Sequence, residues 1–173
     1  MIKKVVSVIT ALILILLIIP VFLPTHFSLS RTIDIQAPVD QVFLKLVDLN
    51  EYTKWNPFPE GDPTNQESVT GTGIGSYLIW KGEKTGEGKM MISSIEPNKK
   101  IDIKMEFYKP FTGVGTVRWI LKSTSNSTTE LTWTFDEDNS YFKRYFGLIA
   151  ESMMGPHFER GLKNFKTLIE GSK

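Results

Sequence analysis

The stretch IDIKMEFY, Ile101 to Tyr108, alternates without a break: Ile101, Ile103, Met105 and Phe107 fall on one parity, and Asp102, Lys104 and Glu106 on the other. Successive side chains of a strand point to opposite faces, so this pattern predicts a strand with one buried and one wet side. Its flanks repeat the theme. Upstream, GTGIGSYLIW (71–80), the turn KGEKTG and EGKMMISSI (87–95) lead through EPNKK into it; downstream, KPFTG leads to VGTVRWILKS, where Val117, Trp119 and Leu121 oppose Thr116, Arg118 and Lys122. TSNSTT then turns the chain into ELTWTF, with Leu131, Trp133 and Phe135 on one side. Short strands joined by turns rich in Gly and charge predict successive hairpins and an antiparallel, one-sided sheet.

Working outward, HFSLSRTIDIQ (26–36) is a further alternating strand: Phe27, Leu29, Ile33 and Ile35 share one parity. Arg31 sits on the same apolar parity, which implies either an ion pair or a local bulge. The period changes in APVDQVFLKLVDL, where Val39, Val42, Phe43, Leu46 and Val47 take helical spacing after Pro38. Asn50 is a candidate cap for a second short helix through about Trp55, which Pro57 would stop. The last thirty or so residues carry two helical stripes, Tyr141, Tyr145, Leu148 and Ile149, then Phe158, Leu162, Phe165 and Ile169. Gly155 and Pro156 between them predict a kink or a break, with Pro156 opening the second helix. Gly161 costs about 1 kcal/mol against Ala in a helix and implies close approach to the sheet.

The chain has 173 residues, 20 basic against 19 acidic side chains, two His and no Cys. That balance gives no electrostatic footprint for nucleic acid, and a disulfide framework is excluded. The amino terminus is different in kind. Lys3 and Lys4 precede Val5 to Leu23, which is almost wholly apolar. About 19 helical residues reach roughly 28 Å, close to the hydrocarbon thickness of a bilayer. The run ends in PVFLPTHF without a small-x-small cleavage triplet, so an uncleaved anchor is expected over a cleaved signal or a buried core helix. Lys3 and Lys4 place the amino terminus in the cytoplasm by the positive-inside bias, with the following domain outside and the chain a single-pass membrane protein. The expected division is residues 1–24 as anchor and 25–173 as one domain.

Catalytic signals are sparse. With only His26 and His157 and no H-E-x-x-H, the usual zinc ligands are missing, and neither a metal nor another cofactor is expected. Glu83 and Glu87 fall in or beside a hairpin turn, where carboxylates are ordinarily solvated. GTGIG, Gly71 to Gly75, lacks the Lys and helix of a phosphate loop. Asn126 in NST meets the minimal glycosylation pattern.

Three words in order, SRTIDIQAPVDQVFLKLVDLNEYTKWNPF (30–58), GEGKMMISSIEPNKKIDIKMEFYKPF (86–111), and LTWTF (131–135) with GPHFERGLKNFKTLIE (155–170), resemble the polyketide cyclase and dehydrase-like branch of the START-like SRPBCC superfamily. The resemblance covers about residues 30 to 170. It implies an α+β helix-grip fold: a curved antiparallel sheet around a long C-terminal helix, with an apolar cavity between them. In that frame YTKWNPF (52–58) puts Tyr52, Trp55 and Phe58 over the cavity end as a lid, or leaves Trp55 as core beneath the second short helix. The expected ligand-binding residues are Trp55, Phe58, Tyr77, Met105, Phe107, Trp119, Trp133 and Phe158. Tyr77 and Trp80 lie on opposite parities of one strand, so only one can face inward. The function expected is a membrane-anchored binding module for an apolar or lipid-like small molecule; the alternatives are a cyclase or dehydrase-type enzyme using a Tyr, His157 or a carboxylate, or a non-catalytic scaffold.

Overall fold

The computed structural model describes residues 1–171. Helix α1, Ile2–Ile18, continues as a 3-10 turn over Ile19–Phe22. No residue of α1 is buried, and Ile2–Phe22, with mean hydropathy 3.1, is long and apolar enough to cross a membrane. Then come β1 (His26–Ile35), α2 (Val39–Leu46) and α3 (Leu49–Tyr52). Six strands follow: β2 (Gln66–Thr70), β3 (Tyr77–Gly82), β4 (Gly86–Glu96), β5 (Lys100–Lys109), β6 (Gly113–Ser125) and β7 (Thr128–Asp138). Helix α4, Arg144–Glu170, closes the chain.

The sheet runs β1-β7-β6-β5-β4-β3-β2, with every neighbouring pair antiparallel. Register shifts in β4 between Glu87 and Gly88 and between Ile92 and Ser94 bend it; an extra residue in one strand increases local twist and curvature. Leu29, Ile92, Ile101, Ile103, Trp119, Leu131 and Trp133 are almost fully buried on the inner side, facing Phe158, Leu162 and Phe165 of α4. This is the helix-grip architecture that the three sequence words implied. Each such side chain contributes about 1.5–3 kcal/mol on burial, so packing outweighs local propensity here.

Packing explains where local expectation and structure differ. Helix α4 does not break at Gly155 and Pro156; it runs through both. An interior proline costs about 3 kcal/mol, but Ala150 lies before it and Phe158, Leu162, Phe165 and Ile169 after it, all buried from the same helix. Asp48, not Asn50, caps α3, its side chain accepting the Asn50 backbone N–H at 2.8 Å. Arg31 forms ion pairs: its guanidinium donates to Glu159 at 2.9 Å and Glu151 at 3.2 Å on α4, and the β1–β7 register is unbroken beneath it. On the outer face Arg118 joins Asp102 and Asp136.

Candidate functional site

The inner face has two ends with different characters. At the far end, Trp55 comes off the loop after α3 to plug the space between sheet and helix. Its ring lies 4.8 Å from Tyr52, 5.5 Å from Trp119, 5.4 Å from Trp133 and 4.9 Å from Phe165, centroid to centroid. Trp133 stacks on Phe158 at 4.3 Å and lies 6.4 Å from Trp119. Trp55, Trp119, Trp133 and Phe158 are all at most 2% exposed. The cavity expected among these four side chains is filled by them. Gly161 permits this, because its missing side chain lets Trp133 and Pro57 close on α4. Phe58 is half-buried and stacks on His157 at 5.2 Å, sealing the cluster from above. The buried indole N–H groups of Trp55, Trp119 and Trp133 have no hydrogen-bond acceptor.

At the other end, where β1 begins, an aromatic row crosses the sheet. Trp80 lies 5.8 Å from Phe107, Phe107 6.1 Å from Phe135, and Phe135 6.3 Å from Phe27. Glycines make the row possible. A Cβ on Gly88 would stand 2.2 Å from the Trp80 ring, and one on Gly115 2.5 Å from Phe135. Phe27, Trp80, Met105 and Phe107 remain half-buried rather than sealed. Glu137 occupies the same end, ion-paired with Lys143. A shallow depression of about 390 Å³ opens beside the row, between Phe107 and Gly113.

Tyr77 does not join either cluster. Leu78, 1% exposed, and Trp80 take the inward parity, so Tyr77 lies on the outer face with the Lys89 ammonium 4.4 Å from its ring centroid. The choice between Tyr77 and Trp80 is made by Gly88 opposite Trp80, which offers the larger ring a floor.

A polar chain reaches the interior from the loop after α3. The Tyr52 hydroxyl donates to Asn56 Oδ1 at 3.0 Å, and Asn56 Nδ2 donates to Glu67 Oε1 at 2.7 Å. Burial raises the Glu67 carboxyl above its ordinary pKa, and burial likewise pushes the Tyr52 phenol up. Glu67 shares a parity with Val69 on β2, an alternation the sequence holds but that five residues are too few to assign. His157, considered from sequence as a base, is half-buried in mid-helix against Phe58. Among the described residues there is no group of three or more His, Cys, Asp or Glu placed to hold a metal ion.

The family model described as "Polyketide cyclase / dehydrase and lipid transport" matches residues 26–170, which follow the apolar helix. The chain belongs to this family. No curated protein matches the sequence. Among solved structures, norcoclaurine synthase from Thalictrum flavum in complex with dopamine and hydroxybenzaldehyde is similar, with 14% identity, TM-score 0.67, and 90% of this chain and 93% of that one covered. Zhui aromatase/cyclase from Streptomyces sp. R1128 is similar at 14% identity and TM-score 0.60, covering 84% of this chain and 94% of that one. A Mesorhizobium loti protein, MLL2253, matches at 15% identity and TM-score 0.61 over 84% and 98%. At these identities the likeness is one of fold; membership of the family supports a ligand-binding or cyclase-type role.

Proposed function

We propose that the chain is a membrane-anchored binding module for an apolar or lipid-like small molecule, residues 1–24 forming the anchor and 25–173 the binding domain. The guest lies on the Trp80–Phe107–Phe135–Phe27 row rather than in the plugged far end. The supporting observation is that Phe27, Trp80 and Phe107 of this row are half-buried around a buried Phe135, and that the row is apolar and at the same end of the sheet as α1. Only Leu23 to Thr25 separate the apolar helix from β1, so the row stays beside the bilayer. Aromatic walls with one charged pair, Glu137 and Lys143, suit an amphipathic guest whose polar end meets the pair. Positive-inside charge at Lys3 and Lys4 puts the domain on the outer side of the membrane.

The test uses the full chain in phospholipid nanodiscs with a fatty acid bearing a photoactivatable diazirine. Adducts on peptides holding Trp80, Phe107 or Phe27 are expected, reduced by excess unlabelled fatty acid. Adducts confined to residues 2–22 overturn the reading.

A second reading, a cyclase or dehydrase-type enzyme, is favoured by one observation: Glu67, a half-buried carboxyl whose pKa burial raises and which is linked through Asn56 to Tyr52, is the kind of group that acts as a general acid. Gene replacement with Glu67→Gln should then reproduce the phenotype of the deletion; an unchanged phenotype removes this reading. The packing of Trp55, Trp119, Trp133 and Phe158 is what a non-catalytic scaffold would also display, and loss of both adducts and the Glu67 effect would leave that role.

A further inference from the structure

Helix α4 begins with an apolar surface that the rest of the chain leaves largely exposed. Phe142, just before its first turn, and Phe146, Ile149 and Met153 follow at i, i+4, i+7 and i+11, one side of a helix. They are 65%, 40%, 51% and 52% exposed, and Leu148, around the same flank, is 61% exposed. At about 100° per residue, the arc from Leu148 past Tyr141, Tyr145 and Ile149 to Phe146 covers roughly 160°, and Ser152 is the one polar side chain within it. Glu151 points the opposite way, to Arg31, and Lys143 is held by Glu137. An apolar arc of this width on a soluble surface marks a contact site.

The neighbouring contacts indicate what covers it. The Tyr141 hydroxyl donates to the Leu17 carbonyl, the Tyr145 hydroxyl to the Leu16 carbonyl, and Arg144 to the Pro20 carbonyl at 2.8 Å. Leu16 lies six residues before Phe22, roughly 9 Å along the helix axis. The first turns of α4 are thus level with the last turns of the apolar helix. Tyr beside a span, with a cation next to it, is the composition of the boundary between headgroups and acyl chains. Interfacial helices bury their apolar side about 5–10 Å into that boundary, which matches this depth. The β5–β6 hairpin meets the same edge: a Cβ on Gly113 would stand 2.4 Å from Lys143 Nζ, and Phe111 and Val114 beside it are 72% and 58% exposed.

We infer that residues 141–153, with the β5–β6 tip, form a second membrane contact that lies in the headgroup–acyl boundary while α1 crosses the bilayer. It rests on the anchor reading above. Two contacts, one spanning and one lying flat, fix the domain's tilt, so that the aromatic row faces lipid instead of sweeping freely on its three-residue tether.

The absence of Cys allows single thiols to be introduced into the full chain for labelling. Cys is placed in turn at Leu12, Ile149 and Lys163, labelled with an environment-sensitive fluorophore, and reconstituted in vesicles of phosphatidylcholine and phosphatidylglycerol carrying nitroxide lipids at shallow or deep acyl positions. The label at 149 should be quenched about three-fold more by shallow than by deep nitroxide, that at 12 more by deep, and that at 163 by neither. Quenching at 12 without quenching at 149 overturns this inference and leaves the anchor standing. Loss of quenching at both overturns the anchor as well. Thiol cross-linking of position 149 between copies, with no lipid quenching there, assigns the surface to a second copy and also overturns the inference.

Discussion

Gly161 on α4 lies against the edge of Trp133 on β7: a Cβ at that glycine would be 2.7 Å from Trp133 Cζ3 and 3.1 Å from both Cγ and Cδ of Pro57. Neither neighbour is a flexible tip, since one is an indole wedged among rings and the other a proline. Gly161→Ala gains about 1 kcal/mol of helix propensity and meets an overpacking cost of about 1–3 kcal/mol. Its urea midpoint should fall below that of the parent. Gly147→Ala, where the nearest atom is Asn139 Nδ2 at 3.3 Å, carries the same propensity gain with less crowding and should be the more stable of the two. Equal midpoints would mean that the contact is not strained.

Trp119 and Trp80 should respond differently to truncation. Trp119→Ala empties a site that is 0% exposed and lined by Trp55, Tyr52 and Trp133, for a loss of about 3–5 kcal/mol. Trp80→Ala, at a half-buried position, should lose less stability and lower fatty-acid labelling instead. Denaturation and photo-labelling on the same two variants separate core from binding surface. Equal stability losses would place Trp80 in the core.

Asp62 organises the loop before β2 and the β3–β4 turn. Its carboxylate accepts from Thr64 N and Oγ1 at 3.1 and 2.6 Å, from Lys84 N and Thr85 N at 2.8 Å each, and from Thr85 Oγ1 at 3.0 Å. The Thr64 and Thr85 bonds, foremost, hold its pKa well below the usual carboxylate range. Asp62→Ala should speed amide exchange at Lys84 and Thr85 by about ten-fold or more, since each loses its acceptor. Unchanged exchange there would show that water replaces the carboxylate.

Glu67 sets the opposite pH sign. A carboxyl whose folded pKa is raised binds its proton more tightly in the folded than in the unfolded chain. Its contribution to stability is therefore full below the ordinary value of 4.5 and is lost as pH rises through the folded pKa. Glu67→Gln should flatten that part of the stability–pH curve and raise stability above it. The check is a set of urea midpoints across mildly acid to neutral pH; parallel curves for parent and variant would show that Glu67 is well solvated.

The strands and the second helical stripe were legible because burial there follows period: Ile101, Ile103 and Met105 point inward as their alternation required, and Phe158, Leu162, Phe165 and Ile169 are buried, whereas Leu148 and Ile149 of the first stripe are exposed. Arg31 on the apolar parity announced a partner without naming it, since Glu151 and Glu159 lie 120 and 128 residues away. Tyr77 and Trp80 were indistinguishable locally, because the glycine that decides between them is on the next strand. The continuity of α4 through Pro156 was hidden for a similar reason: tertiary burial on both flanks outweighs a local break. Whether large inward aromatics enclose space or fill it depends on their mutual angles, which no periodicity encodes; the sequence leaves Trp55 as either lid or core, and its ring lies between Trp119, Trp133 and Phe165 as core. Glu67 and Asn56 were missed because neither carries a motif and their link crosses from loop to strand.

The pairing of β1 with β7 has a consequence during synthesis. Thr32 faces Thr132, and their hydroxyls meet at 2.9 Å. A ribosome adding about 5–20 residues per second needs roughly 5–20 s to make the partner after the first strand is finished. Throughout that interval the nascent chain holds an orphan edge, and its alternating Ser28, Ser30, Thr32 and Asp34 keep one side of it hydrated until the seventh strand arrives.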